Sequence, residues 1–298
     1  MSETNLEKTA IPPSIYVLAA VLLWSTGGLF IKMTSVNAYE VNAGRCLLAA
    51  LTIGVLTYRK GLRPTGFTFL TGLLYAGTLS CFAIATKMTT AANAIFLQYT
   101  APIYILLFAP FILKEKFKFA DLVTVVFCLG GMSLFFLDST PTVELSAESQ
   151  FAGNLYALAS GLFFGFYFLL LRHPIMLRKN PAVSVFYGNI FGVLIMLLAI
   201  FFVTGFSEWT SRDIFAVSYL GVFQIGLAYF LFTYGVSKGV RSLDASIIGF
   251  IEPLFNPVWV FLFLKEKPSN WAIIGGVIII ATVIAHSLYN AKKPQANI

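Results

Sequence analysis

The chain has 298 residues, 58% hydrophobic and 11% charged, with a formal net charge of +7 and a mean hydropathy of +0.83. Soluble domains carry about 25% charged residues, so the composition is that of a polytopic membrane protein and sets aside a soluble enzyme, a secreted scaffold and a nucleic-acid binder. The positive balance fits the Lys and Arg that collect in cytoplasmic loops.

A bilayer core takes about 20 apolar residues per helix. Residues 1–13 form a polar tail with Glu3, Glu7 and Lys8 but no basic n-region, so no signal cleavage is expected. Ten apolar runs follow, at roughly 14–33, 39–58, 67–86, 92–113, 119–137, 152–171, 182–204, 213–235, 243–264 and 270–290. These are spans 1 to 10. Spans 3 and 4 are divided only by Lys87-Met88-Thr89-Thr90. Residues 138–151 form the linker between spans 5 and 6, and 291–298 a short tail.

Cation placement orients the bundle. With a cytoplasmic N-terminus, fourteen cations fall inside: Lys8; Arg59, Lys60 and Arg63; Lys114, Lys116 and Lys118; Arg172, Arg178 and Lys179; Lys238 and Arg241; Lys292 and Lys293. Five fall outside (Lys32, Lys87, Arg212, Lys265 and Lys267), and Arg45 lies within a span. The positive-inside rule therefore predicts both termini in the cytoplasm of a cell whose cytoplasmic membrane holds the protein. The loop Asp138–Gln150, with Asp138, Glu144, Glu148 and no cation, falls outside as the rule requires.

Lys114-Glu115-Lys116 follows Pro102 by twelve residues, and Lys265-Glu266-Lys267 follows Pro253 by twelve. At this offset of 151, Lys87 also matches Lys238, and Ala94 matches Ala245. Upstream, Trp24–Phe30 faces Phe164–Leu170 at an offset near 140. The copies are residues 14–137 and 152–290, five spans each. Five is odd, so the second copy enters from the opposite side. The predicted fold is all-α, ten transmembrane helices in two five-helix inverted-topology repeats, a construction typical of secondary transporters.

The two Pro-to-Lys-Glu signatures, Ala101-Pro102…Lys114-Glu115 and Glu252-Pro253…Lys265-Glu266, with the Trp24-Ser25…Gly28 motif, resemble the EamA family of the drug/metabolite transporter superfamily over about residues 14–288. The resemblance implies a ten-helix metabolite exporter or permease. Such carriers often handle amino acids or related small amphiphiles, by alternating access around a central cavity between the halves.

Ionisable groups inside spans mark function by default. Glu252 is about nine residues into span 9, roughly 14 Å deep, and suits a substrate ammonium, a coupling proton or a structural role beside Pro253. Its counterpart at offset 151 is Ala101, an asymmetry that suits a substrate with distinct ends. Arg45, roughly 9 Å deep in span 2, suits a carboxylate or a salt bridge to Glu40. Pro102 is expected to kink span 4 and free the carbonyl of Gln98, and Pro253, with Pro257 a turn beyond, to kink span 9 and free that of Gly249; paired bends at mid-membrane point to the binding region. Pro257 and Asn256 add to the case in span 9, and Gln98, Tyr99 and Thr100 supply polar atoms in span 4. Trp24, Tyr99, Tyr104, Tyr167 and Tyr229 are the candidate cavity-lining rings; packing competes as an explanation for each. Gly27-Gly28, Gly130-Gly131, Gly275-Gly276 and the pairs Gly161/Gly165 and Gly188/Gly192 permit close helix approach.

Cys46, Cys81 and Cys128 lack metal or disulfide spacing, and no P-loop occurs. His173 and His286 receive no role. No cofactor, metal or nucleic acid is expected. The partners are a small-molecule substrate and the lipid bilayer, with protons as the candidate coupling ion and a monomer or weak dimer as the assembly. The leading function is a secondary transporter for amino acids or related metabolites, in the export direction. The alternatives are a permease or uniporter for amines, quaternary ammonium compounds or nucleosides, a channel, and, more remotely, a lipid-processing membrane enzyme.

Overall fold

The computed structural model describes residues 11–89, 91–134, 137, 146–264 and 270–291. The described regular elements are helical and assemble into the ten expected spans. Six are single rods or nearly so: Ala38–Thr57, Gly66–Met88, Ala147–Leu171, Ala182–Thr204, Ser211–Ser237 and Asn270–Ala291. Their apolar residues satisfy the bilayer, and their backbone groups bond along each helix, as a membrane demands. Span 5, Phe119–Ser133, is short. Span 6 begins at Ala147, five residues before the expected start, because Ser146 caps it through Ser149 N. Lys265-Glu266-Lys267 lies outside the described residues.

The other three spans are broken. Span 1 is Pro13–Trp24 and Gly27–Lys32, span 4 is Ala91–Gln98 and Ala101–Ile112, and span 9 is Ser242–Gly249 and Ile251–Leu264. The sequence predicts kinks at Pro102 and Pro253. Instead each proline sits in the first turn of a new helical segment. A residue there needs no N–H partner inside the helix, so proline costs nothing. The break falls just before it, at Tyr99-Thr100 and at Phe250.

Packing runs mainly between the halves. Span 3 lies along span 6, span 2 along span 7, span 1 along span 8 and span 5 along span 10. Glycines make the approach possible. A Cβ on Gly188 would meet the carbonyl oxygen of Gly72 at 2.8 Å, one on Gly221 that of Arg45 at 2.8 Å, and one on Gly131 that of Gly275 at 3.0 Å. Gly161 seats span 6 on the broken turn of span 4, where a Cβ would lie 2.8 Å from the Gln98 carbonyl oxygen and 2.7 Å from Thr100 Oγ1. Backbone cannot yield as a flexible side chain does. Gly161→Ala is therefore expected to cost about 1–3 kcal/mol, read as a lowered unfolding midpoint in detergent. An unchanged midpoint would show that the spans slide freely at this point.

Two sets of polar contacts join the halves at the ends. At the end opposite the termini, Glu40 accepts from Ser207 N at 3.1 Å, Ser207 Oγ at 2.6 Å and Trp209 Nε1 at 2.7 Å. Asp213 accepts there from Ser35 N at 2.6 Å and Ser35 Oγ at 2.9 Å. At the end carrying the termini, Arg241 lies 3.0 Å from Asp121, 3.6 Å from Asp244 and 3.7 Å from Glu115. Burial works against its charge, but Asp244, Asp121 and Glu115 together hold the Arg241 guanidinium above its ordinary range.

Candidate functional site

A π-helical stretch of span 8, Leu220–Leu227, packs on the break of span 1, which span 9 also touches, and the breaks of spans 4 and 9 are joined to each other through Tyr99. A π segment widens a helix and turns its side chains off the regular face, a common device at functional sites. Here it presents Gln224 to the broken turn of span 1. Gln224 Nε2 lies 3.5 Å from the Trp24 carbonyl oxygen, and a Cβ on Gly27 would overlap Nε2 at 2.7 Å. The same turn receives Trp259 Nε1 on Ser25 Oγ at 2.9 Å. The Trp24-Ser25…Gly28 motif is thus a helix interruption held by side chains of the other half.

Tyr229 is the hub of the centre. Its ring centroid lies 4.7 Å from Trp24, 4.7 Å from Tyr75 and 6.4 Å from Tyr167. All four rings are buried. Tyr229 is also close enough to interact electrostatically with both Arg45 and Glu252. Those two ionisable groups come from spans 2 and 9, and each acts through space on the same phenol.

Arg45 is 1% exposed. Its Nε donates to Asn42 Oδ1 at 2.8 Å and its Nη2 to the Leu79 carbonyl at 3.3 Å. No carboxylate of the described residues lies within ion-pair distance. The salt bridge to Glu40 does not form, because Glu40 turns to Ser207, Trp209 and Asn37 at the end of the bundle. A guanidinium with five donors and two neutral acceptors retains capacity for an anionic partner.

Glu252 is partly buried. Its Oε2 lies 2.8 Å from the Tyr99 hydroxyl, which is also 2.6 Å from the Gly249 carbonyl oxygen. The carbonyl freed by Pro253 is thus taken up by a tyrosine from the matching break of the first half. A phenol has one proton to donate. Tyr99 can serve both acceptors in turn, or Glu252 can carry a proton of its own, donate it to Tyr99 and let Tyr99 donate to Gly249.

Of the other candidates, Trp24, Tyr167 and Tyr229 come together and Tyr99 joins Glu252, whereas Gln98 and Tyr104 do neither. The Gln98 amide donates to Ser160 Oγ at 2.7 Å, and Ser160 donates to the Thr78 carbonyl at 2.9 Å, a cross-tie of spans 3, 4 and 6. Tyr104 is partly buried beside Gly165, on the contact of spans 4 and 6. Asn256 and Pro257 are in the second helix of span 9, with side chains outside the described residues. The sequence reading missed Tyr75, Asn189 and Gln224. Asn189 Nδ2 donates to the Tyr75 hydroxyl at 3.1 Å, while Asn189 Oδ1, Gln224 Oε1 and Trp24 Nε1 are buried without hydrogen-bond partners. Buried polar atoms left over at one centre are what a polar ligand satisfies. The available signal was a lone amide, Gln224, between Gly221 and Gly226 in an apolar run.

A profile of the EamA-like transporter family matches residues 12–137 and again 151–288. The chain is 24% identical to human "Solute carrier family 35 member G1", over 98% of this chain and 85% of that protein. It is 29% identical to an "Uncharacterized transporter" of Helicobacter pylori strain 26695, over 83% of each, and 25% identical to one of Archaeoglobus fulgidus, over 92% of this chain and 96% of the relative. A crystal structure with 19% identity superposes with a TM-score of 0.80, covering 94% of this chain and 99% of that chain, which shows a shared fold.

Proposed function

Because the chain belongs to the EamA-like transporter family, and is thereby an integral membrane transporter of small molecules, we propose that it carries zwitterionic metabolites, amino acids or close relatives, by alternating access. Membership of a transporter family decides against the membrane-enzyme alternative. One observation carries the substrate reading: among the described residues Arg45 has no carboxylate and Glu252 no cation within ion-pair distance, and both lie within electrostatic reach of Tyr229. A carboxylate on Arg45 and an ammonium near Glu252 would each find a charge-assisted partner. Tyr229 and Trp24 would offer ring faces to the body of the solute.

Residues 14–137 and 152–290 are the two halves of this mechanism. The Arg241 cluster would close the cytoplasmic end, and the Glu40 and Asp213 contacts the outer end. Export is the direction that the family resemblance suggests, and the cytoplasmic membrane, with both termini inside, the setting that the positive-inside count favours. The second arrangement open to Tyr99 favours a proton as the counter-substrate at Glu252.

Counterflow into proteoliposomes tests this. Amino acids, amines, quaternary ammonium compounds and nucleosides would be offered to vesicles preloaded with each class. Saturable, stereoselective exchange confined to solutes bearing both an ammonium and a carboxylate is expected. Exchange of amines without a carboxylate requirement would replace the zwitterion reading with the permease alternative. Flux that never saturates would indicate a channel.

A further inference from the structure

The end of the bundle where span 1 begins and span 10 ends holds a second cluster of ionisable groups, remote from Tyr229. His286 of span 10 is 5% exposed, and Asp121 of span 5 is 1% exposed. His286 Nε2 lies 2.9 Å from Asp244 Oδ1, at the head of span 9. His286 Nδ1 lies 3.2 Å from Thr124 Oγ1 and 3.9 Å from Asp121 Oδ1, both on span 5. Asn290 Nδ2 reaches Asp244 Oδ1 at 3.2 Å and His286 Nε2 at 2.9 Å. Arg241 bridges Asp121, Asp244 and Glu115 from the opposite side. Glu115 is the middle residue of the first Lys-Glu-Lys, aimed at the seam by a left-handed turn at Lys114, φ 56°.

The charges around the imidazole do not balance. Among the described ion-pair partners, three carboxylates (Glu115, Asp121 and Asp244) face one guanidinium, so two negative charges are left over. Lys116 lines the same crevice but is exposed to solvent. The remaining titratable group along span 5 is Cys128, buried one turn beyond Thr124. The second helix of span 9 meets span 10 through Leu254 on Gly276, an apolar contact. Asp121 Oδ1 is buried without a hydrogen-bond partner. A proton on the imidazole would supply it with a cation and turn the short contact with Asp244 into an ion pair. An imidazole is the side chain that exchanges a proton between about pH 5 and 8.

We infer that His286, seated between Asp121 and Asp244, is a proton-binding site that locks the start of span 9 onto the pair formed by spans 5 and 10. The inference rests on the alternating-access reading, since it makes this seam the gate at that end. The proton comes from the solution on that side and returns to it. With the proton bound, His286 and Arg241 together hold the acids and the end is shut. With the proton released, one of two cations is gone, the carboxylates repel and the end opens. The seam shares span 9 with Glu252 but none of its hydrogen-bond partners, so the proton bound here is a second one, distinct from the counter-proton at Glu252.

The chain holds two histidines, His173 and His286. His173→Gln, with isotope-labelled histidine in nanodiscs, therefore gives a magnetic-resonance signal from His286 alone. The signal is followed across the range in which an imidazole exchanges its proton, about pH 5 to 8; it is expected to change with pH, and the change should move in Asp121→Asn and Asp244→Asn. A ring that keeps one protonation state through that range would overturn the proposal.

Gate movement is read separately. Ala109 lines the crevice and is buried. In a chain whose native cysteines are replaced by alanine, Ala109→Cys should be protected from a maleimide at low pH and become reactive as the pH rises. Lys116→Cys, exposed beside it, normalises for the chemistry of the thiol. Replacement of His286 by glutamine in the Ala109→Cys chain should remove the pH dependence. Active counterflow with a flat accessibility profile would refute the gate and leave the transport reading standing. A pH-dependent profile without counterflow of any solute would do the reverse.

Discussion

Glu252→Gln is expected to lower exchange of ammonium-bearing solutes in proteoliposomes by about 10–100-fold at limiting solute, while the protein inserts and unfolds as the parent does. The amide keeps the length of the side chain, and its carbonyl oxygen can still accept from Tyr99, which now lies 2.8 Å from Glu252 Oε2. What is lost is the negative charge, and with it a charge-assisted bond worth about 1.5–3 kcal/mol, an affinity loss on the order of 10–100-fold. If Glu252 also carries the counter-proton, the variant loses pH dependence together with rate, because an amide does not titrate. Tyr99→Phe separates the two roles. It removes the hydroxyl that bridges Glu252 and Gly249 while leaving the carboxylate, so exchange should persist with weaker affinity and an altered pH profile. An unchanged rate and pH profile in Glu252→Gln would sink the assignment and return Glu252 to a structural role beside Pro253.

The second large effect separates stability from activity. Arg45→Met is expected to raise the unfolding midpoint and to eliminate transport of carboxylate-bearing solutes. Arg45 is buried, bonds to Asn42 and the Leu79 carbonyl, and has no carboxylate partner among the described residues. A charge taken out of water costs several kcal/mol, and neutral acceptors return only part of it. Methionine fills a similar volume without charge. Asn42 would keep Ser80 Oγ at 3.4 Å and Cys46 Sγ at 3.7 Å as neighbours. The expected gain is about 1–4 kcal/mol, seen in thermal unfolding in detergent. A residue kept at a cost to stability is one retained for a ligand. If the midpoint falls instead, Arg45 serves as a clamp between spans 2 and 3, and the carboxylate belongs elsewhere.

The lone arginine and glutamate were recognisable from the chain because a charge among apolar residues is visible at any position. Their relation to Tyr229 was not, since it depends on how spans 2, 8 and 9 meet. Gln98 shows the opposite error. A polar residue beside a proline break reads as a ligand group, yet its amide is spent on Ser160. Tyr99, its neighbour, lies in the broken turn and reaches the other half. His286 carried no pattern at all, because its acids come from positions 42 and 165 residues away.

Composition and the period of apolar runs determined the class, the ten spans and, through the odd number of spans per copy, the inversion. Those properties are local or additive: a span needs only its own length of apolar residues, and orientation is a sum over loops. The paired prolines likewise marked where helices break, because proline acts on its own backbone. Only the tertiary structure decided what fills each break. Tyr99 bonds the carbonyl freed at Gly249, Gly161 sits over the one at Gln98, and Gln224 lies across the turn of span 1. Hydrogen bonds and close contacts of this kind act over about 3 Å, between residues that the chain separates by whole spans. Their partners become known when the two halves are packed against each other.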